Sequence, residues 1–202
     1  MSATYKIRLF TARLEPGEIF STSQLLSFGT RWAVDQAMCR MVSSGAVHRL
    51  ARGLFVVAGP LVTLVTATQV AQRKAEAFGH EIVEHAADTA YRLGIGSHPN
   101  VSPTFATAGA SSSFLFNETT RVYFSRSSAK KRKLSKTVMG DVIRSLWQLG
   151  KHGCSREAVA AAYQFIGRTH RAQMPELAGL MPTWLHCRFK WRAGPRLREA
   201  AA

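Results

Sequence analysis

Arg31, Gln36 and Arg40 fall within the run Thr30 to Met41, and their types suit reading of base edges. A guanidinium can donate twice to a guanine edge, and a glutamine amide can both donate to and accept from adenine. A few residues on, His48, Arg49 and Arg52 cluster just before Gly53, and donors of this kind meet phosphate oxygens. Thr30, at the start of the run, adds a hydroxyl suited to the same backbone contacts. Further along, Lys130, Lys131, Arg132 and Lys133, with Arg126 and Lys136, form a basic run with no acid between Glu118 and Asp141. Two readings of that run stay open. It is a phosphate-contacting patch, or it is a solvated loop or edge strand whose lysines discourage unwanted sheet pairing.

Catalytic patterns are poorer. His80 and His85 stand five apart and so miss the shared helical face of a His-x3-His metal pair, although Asp88 lies close by. Ser97 and His98 sit in a glycine-rich loop without the strand-turn-helix setting of a nucleophile elbow. Gly96-Ser97 has no paired carboxylates behind it to hold the two metal ions of nucleotidyl transfer. Cys39, Cys154 and Cys187 are odd in number and widely spaced, which suggests neither a disulfide framework nor a zinc site. The expectation is a chain that is not an enzyme and uses no metal and no cofactor.

Charge points to the partner. The 202 residues carry 27 Lys and Arg against 12 Asp and Glu, a formal charge of +15, and that excess favours a polyanion. Nucleic acid leads over membrane, because the longest apolar stretch, Leu54 to Val65, is too short to span and is broken by Gly59 and Pro60. The N-terminus lacks the apolar core of a secretory signal, so a cytoplasmic, nucleoid-associated location is expected. At 46% hydrophobic and 19% charged residues the chain should fold.

The elements that would position the first cluster can be read from spacing. Ile7, Phe10 and Leu14 predict a helix that stops at Pro16-Gly17. Ile19-Phe20 is a short apolar pair, and Ser21 three residues before Gln24 predicts a reciprocally capped second helix, with Leu25, Leu26 and Phe28 inward and a stop at Gly29. Thr30 then caps a third helix that turns Val34, Ala37, Met38 and Met41 inward and Arg31, Asp35, Gln36, Cys39, Arg40 and Ser43 outward, with Gly45 as its left-handed end. Trp32 is expected to pack, and Arg49 either contacts phosphate or pairs internally with Glu18 or Asp35. Val47 to Leu50 and Leu54 to Val57 predict two strands around Ala51-Arg52-Gly53. The sum is a winged helix-turn-helix.

The runs Glu15-Pro-Gly-Glu-Ile-Phe, Leu26-Ser-Phe-Gly-Thr-Arg-Trp-Ala-Val-Asp-Gln-Ala and Arg40-Met-Val-Ser-Ser-Gly-Ala-Val-His-Arg-Leu-Ala-Arg-Gly-Leu-Phe resemble the winged-helix region of the AbiEi-type antitoxin family, known from type IV toxin-antitoxin systems, and its short stand-alone relatives. The resemblance covers about residues 13 to 57. It implies a DNA-binding transcriptional regulator, often an autorepressor, which in some members neutralises a nucleotidyltransferase toxin. It also implies a small mixed α/β domain where this chain has Thr104 to Ser125.

Beyond the hairpin, Pro60 to Ala67 reads as a connector, Thr68 as the cap of a helix to Phe78, and Ala86 to Leu93 as a second helix. Strands are expected at Thr104 to Thr107, Ser113 to Phe116 and Arg121 to Ser125. Amphipathic helices follow, one with Val138, Val142, Ile143, Leu146 and Leu149 and one capped by Ser155, then a last helix with Pro175 in its first turn. From Trp184 the residues Arg188, Phe189, Lys190, Trp191, Arg192, Arg196 and Arg198 form either a frayed end or a basic and aromatic tail for nucleic acid.

The fold class expected is therefore α+β, with a winged helix-turn-helix at 1–59, a mixed α/β domain at 60–150, and C-terminal helices with a basic tail at 151–202. The partner expected is double-stranded DNA. A homodimer stays open, since no heptad repeat supplies an interface. The alternative function is a protein-interaction component, toxin-neutralising or a complex subunit, with DNA binding secondary.

Overall fold

Ser2 opens the first helix by accepting the Tyr5 amide on its Oγ at 3.3 Å. Helix α1 (Ala3–Thr11) then buries Ile7 and turns Phe10 toward Phe20 and Phe28, with ring centroids 5.9 and 5.7 Å apart. The computed structural model describes residues 1–96, 98–166, 170 and 172–192, and these form a mixed α+β structure.

After Gly17, whose φ of 83° few other residues adopt cheaply, strand β1 (Ile19–Ser21) leads into α2 (Thr22–Leu25). The Ser21 amide donates to Gln24 Oε1 at 2.7 Å, the reciprocal cap expected from the spacing. A tight turn at Leu26–Phe28 and Gly29 separate α2 from α3 (Arg31–Ser43). Leu25 is fully buried, whereas Leu26 is 41% exposed and does not face inward as expected, because the helix tightens there and rotates it out. Thr30 Oγ1 accepts the Ala33 amide at 3.3 Å. Gly45 takes φ 71°, and the Ala46 amide closes the helix end on the Met41 carbonyl at 2.9 Å.

Strands β2 (Val47–Ala51) and β3 (Leu54–Val57) form an antiparallel hairpin, and β1 pairs with β3, giving the order β1-β3-β2. Ala51 extends the expected strand by one residue and the turn is Arg52-Gly53. Phe20, Val47 and Phe55 join Ile7, Leu25, Val34, Ala37, Met38 and Met41 in one core. The other sheet residues Ile19, Leu50, Leu54 and Val56 are buried as well. Alternation therefore requires cover on both faces of this sheet.

That second cover comes from distant sequence. The first unit consists of Met1–Ile82 together with Ser111–Phe124, so it includes α4 (Ala67–Glu76) and most of a hairpin of two strands, Ser112–Phe116 and Thr120–Arg126. The Asn117 amide at the hairpin turn donates to the Leu50 carbonyl at 2.9 Å. Helix α4 is capped by Thr66 and not by Thr68: the Thr66 amide donates to Gln69 Oε1 at 2.8 Å while Thr66 Oγ1 accepts the Gln69 amide at 3.3 Å. Two otherwise orphaned amides are satisfied at once, which a cap at Thr68 would forgo. The expected connector holds a helical turn at Pro60–Leu64.

The second unit is Val83–Ala110 with the chain from Ser125 onward. It contains β4 (Ile82–Glu84, entering from the first unit), which sequence patterning did not indicate, and its neighbour β5 (Thr104–Thr107). The hairpin begun in the first unit is β6 (Ser112–Phe116) and β7 (Thr120–Arg126), whose last two residues pass into the second. The helices are α5 (Ala86–Arg92), α6 (Ala129–Leu134), α7 (Val138–Gly153), α8 (Arg156–Phe165), α9 (Met174–Leu177) and α10 (Thr183–Arg192). Leu134, Val142, Ile143, Leu146, Val159 and Leu185 lie in one buried core.

Three expectations are corrected here. The basic run Lys130 to Lys133 is neither loop nor strand but helix α6: Ser128 Oγ accepts the Lys131 amide at 3.4 Å, the following Ala, Lys and Arg are good helix formers, and Leu134 anchors the end in the core. Pro175 lies in the first turn of α9 as its position predicts, but α9 is not the last helix, since α10 follows Pro182, and Leu185 and Phe189, one turn apart, are buried in it. The stretch from Trp184 is thus helical as far as residue 192 and packs through Leu185 and Phe189, with Tyr163 and Phe189 rings 5.8 Å apart. Arg196 and Arg198, with the side chains of Lys190, Trp191 and Arg192, lie outside the described residues.

The domain boundaries also differ. The chain passes between units at 82/83, 110/111 and 124/125, not at 59/60 and 150/151. A cut after 59 would strip α4 and the β6–β7 hairpin from the sheet they accompany. A cut after 150 would fall inside α7, although the backbone does turn at Gly150, with φ 73°. Among the described residues no helix is long and apolar enough to cross a membrane.

Candidate nucleic-acid interface

Helix α3 turns a single arc away from the core. Val34, Ala37, Met38 and Met41 are buried and Arg31, Asp35, Gln36, Cys39, Arg40 and Ser43 are exposed, in the division that spacing predicts. At about 100° per residue, the middle of the exposed arc is formed by Trp32, Gln36, Cys39 and Ser43. Arg31 and Arg40, nine positions apart, lie roughly 180° from each other on this reckoning and so occupy its two edges.

The edges differ. Arg31 Nε donates to both Asp35 oxygens, at 2.9 and 3.2 Å, an exposed pair one helical turn long. Such a pair contributes about 0.3–0.5 kcal/mol at most and chiefly orients the guanidinium. Arg40 Nη2 donates to Thr4 Oγ1 at 3.2 Å, turning toward α1. Gln36 alone of the three candidates is central.

Trp32 was expected to pack and is instead 73% exposed. Its phase explains this, because it lies opposite Val34 and Met41 on the same helix and cannot reach the core they face. The pattern that identified the inward residues already carried this information. Trp32 is thus the residue of the exposed arc that sequence reasoning passed over.

The hairpin does not bring its basic residues into one cluster. His48 and Arg49 are adjacent in β2 and so point to opposite faces of the sheet. The Arg49 guanidinium lies 5.6 Å from the centroid of the Phe55 ring across the strand pair, and Asp35, one of its suggested internal partners, is engaged by Arg31. Arg52 occupies the exposed turn, and that turn is tied down. Thr22 donates its amide to the Gly53 carbonyl at 2.9 Å, and Lys74 Nζ donates to the Arg52 carbonyl at 3.3 Å. Burial holds Lys74 below the usual lysine range, and the Arg52 charge beside it lowers it further. Lys74, from α4, is therefore a second cation at the hairpin tip, which the local sequence around Gly53 could not reveal.

The second basic cluster is divided too. Lys130 and Lys133 are exposed on α6, but Lys131 places its Nζ 4.9 Å from the centroid of the Trp147 ring, and Arg132 donates to the Ser127 carbonyl. Two of the four face their own unit.

His85 caps α5. Its Nδ1 accepts the Ala87 amide at 3.3 Å and faces Asn100 Nδ2 at 3.1 Å, and Asn100 also donates to Asp88 at 2.9 Å. An imidazole that accepts at Nδ1 must be neutral or lose its cap. Burial holds it below the ordinary histidine range, Asp88 works against that, and Arg144 and Lys131 add to it. The stabilisation is therefore complete above about pH 6.5 and is lost as pH falls through the lower folded-state value. Urea melts between about pH 7.5 and pH 5 are expected to show a smaller acid-side loss for His85→Asn, which keeps a capping acceptor but cannot titrate. An equal loss in both proteins would remove His85 as the source. Ser97, named with His98 and Gly96 above, lies outside the described residues.

Searches for known counterparts give no match to this chain, whether among protein-family models, curated proteins or solved structures.

Proposed function

We propose that the first unit is a winged helix-turn-helix that reads duplex DNA, and that the chain is a transcriptional regulator, an autorepressor of the antitoxin type. The observation that carries the reading is α3 itself. It presents Trp32, Gln36, Cys39 and Ser43 outward between two arginines, beside a hairpin whose turn bears Arg52. In a major groove the Gln36 amide would meet adenine, the Arg31 guanidinium, steadied by Asp35, would meet guanine, and Trp32 would pack on sugar or a thymine methyl. Arg40, Thr30 and Arg52 would reach backbone phosphates. Arg49, on the sheet face that Phe55 shares with the helices, would join them, and His48, on the opposite face, would not. The net charge of +15 supports a polyanionic partner independently of any one contact.

The test is selection from a random duplex library followed by anisotropy titrations. Affinity should fall steeply between roughly 50 and 200 mM salt. Gln36→Ala should cost about 1–3 kcal/mol on the selected site and relax its sequence preference, whereas Arg52→Ala should weaken selected and random duplexes alike. Absence of salt-sensitive duplex affinity would sink the reading and favour the protein-partner alternative.

A further inference from the structure

We infer that a cavity in the second unit binds a phosphorylated small molecule no larger than a mononucleotide. The cavity measures about 320 Å³, at the small end for such sites, and is lined by His85, Ser125, Arg126, Ser127, Ser128, Lys131 and Arg144 together with Ala86, Ala106 and Gln148. No carboxylate is among these residues. Three cations and three hydroxyls face one space.

The donors are held by the fold. Arg144 is 3% exposed, and its Nη1 donates to the Glu84 carbonyl at 2.9 Å while Nη2 donates to Asp141 at 2.8 Å and to Thr89 Oγ1 at 3.3 Å. Its Nε has no hydrogen-bond partner, so this buried cation keeps one donor unspent. Burying a guanidinium is costly, and the Asp141 carboxylate, itself partly exposed, pairs with it directly while the Glu84 carboxylate acts from beyond Thr89. Lys131 is steadied over Trp147. With Nδ1 of His85 engaged by Ala87 and Asn100, its Nε2 carries the proton and is a donor.

A ligand for this lining must accept many hydrogen bonds and carry negative charge. A phosphate ester does both, with several acceptor oxygens on one centre, and charge-assisted bonds to arginine and lysine are the stronger kind. The cavity volume exceeds what a bare phosphate fills, which leaves room for a small organic group. These residues belong to a unit separate from the proposed DNA-reading helix, so the inference stands or falls without it.

Calorimetric titration of the full chain, with no DNA present, should use 5′-AMP, glycerol 3-phosphate and inorganic phosphate against adenosine and glycerol. The expected result is binding of at least one organic phosphate and of neither phosphate-free compound. Lys131→Gln and Arg126→Gln should each weaken it by about ten-fold or more, with Lys133→Gln, on the exposed side of α6, unchanged. Circular dichroism of each variant separates lost binding from lost folding. No heat with either organic phosphate at millimolar concentration, or an equal loss in Lys133→Gln, overturns the inference.

Discussion

Gly140→Ala is expected to destabilise the second unit by roughly 3 kcal/mol, although alanine is the better helix former by about 1 kcal/mol in an open helix. Gly140 lies in the first turn of α7, where its amide donates to Thr137 Oγ1 at 3.0 Å. A Cβ built on it would fall 1.8 Å from the Leu134 carbonyl oxygen and 2.7 Å from its carbon. Those are backbone atoms at the end of α6, and the Leu134 side chain beyond them is fully buried, so nothing flexible can yield. The α6–α7 corner must open or the helix must unwind. Gly153→Ala is the control, since its Cβ would meet only the Leu149 Cβ at 3.4 Å. Urea melts of the two variants should separate clearly, and a Gly140→Ala midpoint equal to that of the parent would mean that α6 and α7 do not meet at this corner.

Arg144→Ala is expected to cost about 3–5 kcal/mol, the range seen when one member of a buried ion pair is removed. The substitution leaves the Asp141 carboxylate and the Glu84 carbonyl without the donor that satisfies them, and it opens space beside Ile143 and Ser145 in a fully buried stretch of α7. Arg144→Met should lose less, because it refills much of that space and needs no counter-charge. Equal losses for Ala and Met would show that the hydrogen bonds, and not packing, dominate. Denaturant midpoints followed by far-UV circular dichroism would distinguish the two.

Much of the first unit was legible because its signals are local. Gln24 sits three residues after Ser21, Thr30 precedes the apolar period of Val34 to Met41, and Gly45 follows it, so caps, face and stop are all written within a few positions. The helical register even fixed the exposure of Trp32, which was lost only because tryptophan is so often interior. What could not be read is non-local. The segment that meets Leu50 comes from residues 111–124, the cation beside Arg52 comes from Lys74, and the partners of the buried Arg144 include the Glu84 carbonyl, sixty positions earlier. The helix at Lys130 to Lys133 was missed for a different reason. Its apolar anchor is a single residue, Leu134, too little to give a period, while the charge run drew attention to solvent.

The interleaving of the two units has a bearing on how the protein is made. As a nascent chain leaves the ribosome, its N-terminal part folds first when it is self-sufficient. Here the helices ahead of residue 58 emerge early and α4 follows, yet β2 stays without its β6 neighbour until residues 111–124 follow, and by then the chain has already laid down residues 83–110 of the other unit. During that interval the β2 edge with Leu50 lacks its final cover, and a ribosome stalled before residue 124 would hold that edge available to chaperones or to a neighbouring unfinished copy.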